Sequence, residues 1–324
     1  MQLANGASTL FSASYGEKLH PGLGPQAEAE QLYVRQLKIC ERLQTHAGEF
    51  VIWDIGLGAA ANAITALRAT REIPGQLRLV SFDNTSEPLA FALKNAEVLG
   101  YLHGYENQIA KLLRDRRAEF ENGKVPVTWE FHLGDFPALV AAGILPAVEP
   151  GILPSGMTRD RFIGLENPIA NPGGKLPPST SGRLPAATLP PPHAIFYDAF
   201  SPAKNPAMWT LPVFENLFRA LDPARPCALT TYSRSTLLRT TLLLAGFFVG
   251  VGHATGMKEE TTIAANTLDL IAEPLNARWL ERAARSDSAE PLREPVYSRA
   301  PLAPETFDVL RRHPQFSTGQ GNLG

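Results

Sequence analysis

The sequence predicts an α/β domain with a mainly parallel sheet, helices on both faces of the sheet and an antiparallel last strand. Short apolar runs alternate with longer segments whose apolar residues recur at helical spacing, and this alternation is typical of a parallel sheet covered by helices. The last two apolar runs have no helix between them, so we expect them to pair antiparallel. With 324 residues, 44% of them hydrophobic, the chain is long enough to bury such a core.

Seven short runs are rich in Val, Ile, Phe and Thr, the residues that favour strands. The predicted strands cover residues 50–55, 77–83, 127–133, 193–198, 227–232, 247–252 and 261–266. The helices are predicted from apolar residues on one face and from start signals such as proline in the first turn. They cover residues 60–71, a segment beginning near Glu87, and residues 106–121, 206–221, 234–245 and 276–285. In the 106–121 helix, Ile109, Leu112 and Leu113 lie on one face.

Proline marks a break inside this pattern. Eleven of the 28 prolines fall between residues 146 and 192, together with many Gly, Ser and Thr. Such a composition buries too little apolar surface to offset the entropy of ordering. We therefore predict a Pro-rich insertion at about 145–191 within a domain that spans 50–275. Residues 1–49 form an N-terminal segment, and residues 276–324 are expected to be a peripheral C-terminal extension.

Charge and cysteine content exclude several classes of protein. Thirty Lys and Arg against 32 Asp and Glu give a net charge of −2, which excludes a broadly basic nucleic-acid coat but not a local basic patch. Cys40 and Cys227 lie far apart and without metal-ligand spacing, so we expect neither a disulfide framework nor a metal site. The chain starts without a signal-peptide pattern, and its longest apolar run, Leu242–Gly252, is too short to span a bilayer. We expect a cytoplasmic protein.

The strongest local signal is a glycine turn directly after the first strand. Asp54 ends that strand, and Gly56 and Gly58 allow a tight turn and a close approach of backbone to a ligand. The third glycine of a dinucleotide fingerprint is missing, because alanines, Ala60 among them, follow Gly58. Either the turn binds a ligand, with Asp54 facing a cationic group, or it is a strand–helix connection without one.

Two further strands end in acidic residues. Asp83 ends the second strand about two dozen residues after the glycine turn, the position from which an acidic residue binds ribose hydroxyls; the alternative is capping of the next helix. Gly134 and Asp135 follow the third strand, where the carboxylate can accept from an adenine amine or can serve ordinary turn chemistry. Acidic ends on neighbouring strands indicate one ligand crevice, suited to S-adenosylmethionine or a dinucleotide.

A fourth segment, FYDAFSPAKNPAMW, covers residues 196–209. It places Asp198 at the end of the fourth strand, beside the point where substrates bind in such sheets. The loop after it is unusually rich in Pro, Asn and aromatic residues. The structural alternative is that Asn205 and Pro206 only start a helix and that Trp209 lies in the core.

These segments resemble the methyltransferase half of the MnmC family of tRNA wobble-uridine modification enzymes and its stand-alone, MnmD-type relatives. The resemblance rests on DIGLGAAAN, VSFD, LGD, DAFSPAKNPAMWT, LTTYSRSTLLRTTLLLAGF and TGMKEETTIA, with SYGEKLHP and PQAEAEQLYV near the start. It covers roughly residues 10–266 apart from the insertion. It implies a Rossmann-like, class I S-adenosylmethionine-dependent methyltransferase fold without the FAD-dependent oxidase half.

The resemblance also implies an activity and a set of site residues. The activity is N-methylation of the 5-aminomethyl group of wobble (2-thio)uridine in tRNA, with S-adenosylmethionine as cofactor and Asp198 as the catalytic residue. The implied cofactor-binding residues are Asp54, Gly56, Gly58, Asn62, Asp83, Gly134 and Asp135. The candidate substrate-binding residues are Tyr15, Lys204, Asn205, Trp209 and Tyr232, since aromatic faces hold unstacked bases. No metal and no membrane partner is expected, and a separate FAD-dependent or aminomethyl-forming enzyme would supply the substrate.

Binding of tRNA needs phosphate contacts, and two basic groups could supply them. They are Lys111, Arg114, Arg116 and Arg117, and then Arg278, Arg282 and Arg285. Each group could instead be a solvated helix face with intervening acids. The acidic balance and Glu259, which replaces a basic residue of the family, favour a second hypothesis, a methyltransferase of the same fold acting on a small amine. A non-catalytic nucleoside-binding relative is a third, and a nicotinamide dehydrogenase fits the loop after Asp198 poorly.

Overall fold

The computed structural model describes residues 9–12, 15–18, 24–142, 189–255 and 259–317 of the chain. The strands are β1 Phe11–Ser12, β2 Glu17–Lys18, β3 Glu49–Ile55, β4 Gln76–Asp83, β5 Arg117–Asn122, β6 Val125–Leu133, β7 Ala194–Tyr197, β8 Ala228–Thr231, β9 Phe248–Gly252 and β10 Thr261–Ala265. The α-helices are α1 Pro25–Ala29, α2 Ile39–Thr45, α3 Ala61–Thr70, α4 Glu87–Lys94, α5 Ala96–Leu99, α6 Glu106–Asp115, α7 Phe136–Ala141, α8 Leu211–Arg219, α9 Thr236–Leu244, α10 Ala277–Ala283, α11 Pro304–Arg311 and α12 Pro314–Ser317. A π-helix covers Glu30–Arg35, and 3-10 turns cover Pro206–Trp209 and Leu268–Leu270. Residues 145–188 of the predicted insertion lie outside the described residues.

The main sheet has eight strands in the order β5-β6-β4-β3-β7-β8-β10-β9. The five strands from β6 to β8 are parallel, whereas β5, β9 and β10 run antiparallel to their neighbours. The predicted mainly parallel sheet with an antiparallel end is therefore confirmed. From β3 the chain first adds β4 and β6 on one side and later β7 and β8 on the other. The order of the strands thus reverses at β3, and ligands bind in the crevice outside the carboxyl ends at such a switch point.

Helices cover both faces of the sheet, because alternate side chains of each strand point to opposite faces. On one face Ile52 of β3 belongs to the same apolar cluster as Ile64 of α3. On the other face Trp53 belongs to a cluster with Leu217 of α8. The seven predicted strands and the helices predicted over 60–71, 234–245 and 276–285 are confirmed to within two residues.

The helix predicted over 106–121 is wrong in its second half. It ends at Asp115, after which Arg116 takes a left-handed conformation with φ 63°. Residues 117–122 form β5, which pairs with β6 through a two-residue loop at Gly123 and Lys124. The apolar face of the helix ends with Leu113, and the following RAEFEN alternates between exposed and buried residues before a turn glycine, which is the pattern of a hairpin.

The helix predicted over 206–221 is divided in two. A 3-10 turn ends at Trp209, Thr210 is extended with φ −79° and ψ 152°, and α8 begins at Leu211. The extended residue pairs with the C-terminal part of the chain, because the Leu211 amide donates to the carbonyl of Leu292 at 2.7 Å. Local helix signals could not predict this pairing, because the partner lies 81 positions later in the sequence.

The C-terminal extension, expected to be peripheral, contributes buried side chains to the core. Trp279, Leu280 and Ala283 of α10, together with Leu292 and Leu310, belong to the apolar cluster that covers β3 and β8. Asn276 caps α10 by accepting from the amide of Trp279. The segment also contacts α9 through α11.

Candidate active site

The carboxyl ends of β3, β4 and β7 meet at one edge of the sheet, where the strand order reverses. These ends carry Asp54, Asp83 and, directly after β7, Asp198. The three carboxylates reach this edge from separate strands, as the sequence predicts. They are not equivalent, however, because they differ in burial and in hydrogen-bond partners.

The glycine turn between β3 and α3 lies against the backbone that follows β7. Gly56 has a φ of 92°, and a Cβ added there would lie 2.7 Å from the carbonyl oxygen of Asp198. Glycine is therefore required at this position both for the backbone conformation and for the contact. Gly58 and Ala60 also have positive φ, of 51° and 63°, so Ala60 adopts the conformation that a glycine would favour.

Asp83 connects β4 to the glycine turn. Its Oδ2 accepts from the amide of Gly58 at 2.8 Å, and its Oδ1 accepts from the amide of Thr85 at 3.2 Å. Burial raises the pKa of Asp83, and these backbone hydrogen bonds oppose the increase. Asp54 lies deeper, with 0% exposure, and accepts from the hydroxyl of Ser81 at 3.0 Å. It supports the turn from within the sheet and has no solvent-facing surface.

Asp198 is half-buried and is held by a side-chain amide from α3. The Nδ2 of Asn62 donates to Asp198 Oδ2 at 2.8 Å. Asn62 is only 3% exposed, and its Oδ1 has no hydrogen-bond partner among the described residues. Two tyrosines lie nearby: burial first, and then the Asp198 carboxylate, raise the pKa of both Tyr33 and Tyr232 well above the ordinary value. Both phenols are therefore neutral beside the carboxylate.

The N-terminal β1–β2 hairpin reaches the same edge. Tyr15 stacks on Phe200 with ring centroids 4.1 Å apart, and the Asn84 amide donates to the Tyr15 hydroxyl at 3.4 Å. The carboxylate of Glu17 accepts from the Ser201 hydroxyl at 2.5 Å. Tyr15 therefore connects the loops that follow β4 and β7, on either side of β3.

The other predicted substrate-binding residues are distributed differently. Tyr232 is half-buried and donates to the carbonyl of Ala199 at 2.9 Å, next to Asp198. Lys204 is exposed and Asn205 half-buried in the loop after β7. Trp209 is 0% exposed, and its indole donates to the carbonyl of Phe200 at 2.7 Å. The structure thus shows Trp209 in the core, the alternative that its sequence context left open.

Gly134 and Asp135 follow β6, one strand farther from the switch point. The Gly134 amide donates to the Asp83 carbonyl at 2.8 Å. Asp135 is exposed and caps α7, where its carboxylate accepts from the amide of Ala138 at 3.3 Å. The Asp135 carboxylate therefore has a local capping role in the loop after β6.

Sequence reasoning did not single out Tyr33 or Glu17 as site residues. Both lie in segments that carry the family resemblance, but nothing in their local pattern points to the loop after β7. Tyr33 is brought to Asp198 by the π-helix over Glu30–Arg35, a rare conformation that is found at functional sites.

Comparison with known proteins relates the chain to methyltransferases. A family model described as S-adenosyl-L-methionine-dependent methyltransferase matches residues 186–267, which include Asp198. A 96-residue stretch is 36% identical to the tRNA 5-methylaminomethyl-2-thiouridine biosynthesis bifunctional protein MnmC of Methylibium petroleiphilum, covering 30% of this chain and 14% of that protein. The chain contains an MnmC-like, S-adenosyl-L-methionine-dependent methyltransferase domain.

Longer but weaker matches extend the likeness over most of the MnmC-like domain. The MnmC protein of Burkholderia mallei is 24% identical over 253 residues, which are 74% of this chain and 31% of that protein. The crystal structure of MNMC2 from Aquifex aeolicus matches with a TM-score of 0.59 and 23% identity, covering 90% of this chain and 77% of that one. The fold is therefore shared along most of the chain, whereas the matched stretches span less than a third of the curated relatives.

The crevice of the MnmC-like domain suits its cofactor, S-adenosyl-L-methionine. A sulfonium and an amino group are cationic and ribose hydroxyls are donors, and the crevice edge offers two acceptors: Asp83 and the Oδ1 of Asn62, which has no partner among the described residues. In the described parts of the chain, no group of three or more His, Cys, Asp or Glu side chains could hold a metal ion. No helix of those parts is long and apolar enough to cross a membrane.

Proposed function

We propose that this domain N-methylates the 5-aminomethyl group of wobble (2-thio)uridine in tRNA. The observation that carries the proposal is the Asp198 carboxylate, which lies half-buried at the switch point and is fixed by Asn62 at 2.8 Å. The MnmC relatives are named for tRNA 5-methylaminomethyl-2-thiouridine biosynthesis, which supports the choice of substrate. The DAFSPAKNP segment, the most specific part of the family resemblance, surrounds this carboxylate.

The residues around β3 and β4 would hold the cofactor. Asp83 would bind the ribose hydroxyls, and the Gly56–Gly58 turn the methionine part, with the Oδ1 of Asn62 accepting from its amino group. Asp54, fully buried, would act by supporting the turn. The adenine would lie toward the loop of Gly134 and Asp135.

The chemistry requires a neutral amine in line with an activated methyl group. When bound, S-adenosyl-L-methionine supplies that group on a sulfonium. An alkyl amine is mostly protonated near pH 7, so it must lose a proton to solvent before its lone pair can attack. Asp198 accepts a hydrogen bond from the remaining N–H and orients the lone pair, which is catalysis by positioning. The cofactor would give up its methyl group and leave as a neutral thioether, the amine nitrogen would gain the positive charge, and Asp198 would pair with the new ammonium.

Aromatic side chains would hold the uracil ring near this carboxylate. Tyr15 and Phe200 form a stacked pair above the edge of the sheet, and Tyr232 lies beside Ala199. Unstacked bases bind to such faces. Lys204 and Asn205, in the loop that follows Asp198, would contact the neighbouring nucleotide backbone.

The experiment combines labelled S-adenosyl-L-methionine with tRNA that carries 5-aminomethyluridine at the wobble position, followed by mass spectrometry of the nucleosides. The wild-type protein should form the methylaminomethyl nucleoside. Asp198→Asn should lower the rate by about a hundredfold or more while cofactor affinity stays within about twofold, because an asparagine oxygen can still accept from Asn62. Asp269→Asn, on the exposed 3-10 turn, is the matched control. Loss of cofactor binding in the Asp198→Asn protein would give Asp198 a structural role instead.

A second candidate is methylation of a small-molecule amine. The net charge of −2 and the 93% exposed side chain of Glu259 favour it, since both oppose binding of a polyanion. Tight cofactor binding without labelling of tRNA would place this candidate first. For the tRNA substrate, a separate FAD-dependent or aminomethyl-forming enzyme would supply the primary amine, and we expect both enzymes in the cytoplasm.

A further inference from the structure

The loop after β7, residues 198–201, begins with the Asp198 carboxylate. Its first three carbonyls each lie against a residue from elsewhere in the chain. These residues are Gly56 for the Asp198 carbonyl, Tyr232 for the Ala199 carbonyl and Trp209 for the Phe200 carbonyl. The loop is thereby held as far as Phe200, and the next residue to be fixed is Ser201.

Ser201 is held by a carboxylate from the N-terminal segment. The Oε1 of Glu17 accepts from the Ser201 hydroxyl at 2.5 Å, and its Oε2 accepts from the Ser201 amide at 3.3 Å. Both oxygens of one half-buried carboxylate thus bind the same residue, which fixes that residue in two directions. Hydrogen bonds to a charged acceptor are roughly twice as strong as those between neutral groups. The two bonds from Ser201 to Glu17 therefore attach this loop to the β1–β2 hairpin.

The rest of the loop depends on Ser201. The Ser201 carbonyl accepts from the amides of Lys204 and Asn205, both at 2.8 Å. The turn that carries these two candidate substrate-binding residues therefore starts at Ser201. Lys204 also lies along the hairpin, because a Cβ added at Gly16 would lie 3.8 Å from its Nζ. A shift of Ser201 would move this turn on one side and the backbone of Asp198 on the other.

The hairpin that carries Glu17 has little stability of its own. β1 and β2 are joined by only two residue pairs, and an isolated two-stranded hairpin is marginal in water. Contacts with two crevice loops hold it. Glu17 accepts from Ser201, and Tyr15 stacks on Phe200 and accepts from Asn84 in the loop after β4. The hairpin and the loop after β7 therefore stabilise each other.

We propose that Glu17 is a positioning residue for methyl transfer: by holding Ser201, it fixes the loop that carries Asp198. The proposal rests on the proposed function. Asn62 holds the Asp198 carboxylate itself at 2.8 Å, whereas Glu17 holds the far end of the loop and acts through Ser201. Catalysis by positioning is sensitive to displacements of about 1 Å, so the carboxylate and its backbone both have to be fixed.

The chain contains a second glutamate with the same kind of contacts in another place. Glu290 accepts from the hydroxyl of Thr306 at 2.8 Å and from the amide of Ala303 at 3.0 Å. These partners lie in the C-terminal segment, at the start of α11. A variant at Glu290 therefore removes the same pair of hydrogen bonds without touching the loop after β7, and it serves as the matched control.

The first measurement needs no substrate. Glu17→Ala, Glu290→Ala and wild type are compared by hydrogen–deuterium exchange in peptides that cover residues 198–205. We expect the amides of Ser201, Lys204 and Asn205 to exchange at least about tenfold faster in Glu17→Ala, because the loop loses two bonds to a charged acceptor. Glu290→Ala should leave exchange in this segment unchanged.

The second measurement is methyl transfer to tRNA that carries 5-aminomethyluridine. Glu17→Ala should lower kcat by about tenfold and leave the KM for S-adenosyl-L-methionine within about twofold, because Asp83 and the glycine turn are intact. Glu17→Gln should recover part of kcat, since its amide can accept from the Ser201 amide and donate to the Ser201 hydroxyl. Glu290→Ala should keep kcat within about twofold of wild type.

The two measurements separate the role of Glu17 from the reaction. Unchanged exchange over residues 198–205 in Glu17→Ala would overturn the proposal. Faster exchange with a wild-type kcat would also overturn it, as would an equal loss of kcat in Glu290→Ala, because Glu17 would then contribute only to folding. If exchange rises in Glu17→Ala but wild type transfers no methyl group to tRNA, the attachment of the loop to Glu17 stands and the proposed reaction fails.

Discussion

The bond between Asn62 and Asp198 can be tested by placing a second carboxylate at position 62. The Nδ2 of Asn62 lies 2.8 Å from Asp198 Oδ2, so Asn62→Asp would bring two carboxylates into direct contact. Two unit charges about 4 Å apart interact by about 4 kcal/mol at an effective dielectric constant of 20. Asp198 is half-buried, so solvent screens part of this repulsion. We therefore take the repulsion between the two carboxylates as about 3 kcal/mol, which corresponds to about two pKa units.

The consequence is a pH-dependent loss of stability. Below the raised pKa the pair shares one proton and keeps its hydrogen bond, whereas above it both groups are charged and repel. One apparent pKa of the folded pair rises from about 4 to about 6, so the folded protein binds more protons than the unfolded chain between these values. The stability of the variant relative to wild type is then highest below pH 4 and falls as pH rises through 6. From pH 5 to pH 7.5 the relative destabilisation should grow by about 1.4 kcal/mol.

The assay is denaturant unfolding of wild type and variants at a series of pH values. Asn62→Ala loses the hydrogen bond to a charged acceptor, which should cost about 1.5 to 3 kcal/mol of stability. Because this variant adds no titrating group, its difference from wild type in the free energy of unfolding should not change over this pH range. Asn107→Asp on the exposed side of α6 controls for the same chemical change elsewhere. Parallel pH profiles for Asn62→Asp and Asn62→Ala would refute the contact between position 62 and Asp198.

Two further perturbations test the same region and the sheet beside it. Gly56→Ala should destabilise the protein by about 3 kcal/mol, since the Cβ would lie 2.7 Å from the Asp198 carbonyl oxygen at a φ of 92°. The control Gly104→Ala has a φ of 87° and nothing within 4 Å of the added Cβ, so it should cost only about 1 kcal/mol. Equal unfolding midpoints for the two variants would show that the contact at Gly56 is absent. Burial lowers the pKa of His193 to about 3, and its Nδ1 accepts from the amide of Val51 at 2.8 Å. The unfolded chain, with a histidine pKa of about 6.5, therefore binds the extra proton between these values, so stability is complete above pH 6.5 and should fall by about 2 kcal/mol between pH 7 and pH 5. His193→Asn keeps an acceptor for Val51 and should remove this part of the pH dependence in chemical unfolding; an unchanged slope would contradict the assignment to His193.

The strands and their mainly parallel arrangement were predictable because short, uninterrupted apolar runs alternate with helical segments. β3, β4 and β7 each combine β-branched and aromatic residues, and their period identifies them without any tertiary information. The β5–β6 hairpin was missed although Gly123 marks its turn, because charged residues in Arg117–Asn122 also fit the exposed face of a helix. Strand propensity there is decided by pairing with β6, which the local sequence does not contain.

The site was predictable to the extent that it lies at strand ends. Asp54, Asp83 and Asp198 follow from the rule that ligands bind at the carboxyl edge of a parallel sheet. Their environments do not follow from it: Asp54 is fully buried, whereas Asp83 accepts from the glycine turn. Tyr33 is brought to Asp198 from far away in the sequence, and only the packing of the N-terminal segment on α3 establishes that contact.

The distribution of charge explains how a slightly acidic chain could act on RNA. A formal charge of −2 describes a sum, but phosphate binding depends on which cations lack an acidic neighbour. Arg114 and Arg117 form ion pairs, whereas Arg278 and Arg282 form none with the described residues, so two groups that look alike in the sequence differ in their capacity for a polyanion. Net charge alone is therefore a weak argument against tRNA, and the salt dependence of tRNA binding is the quantity that decides it.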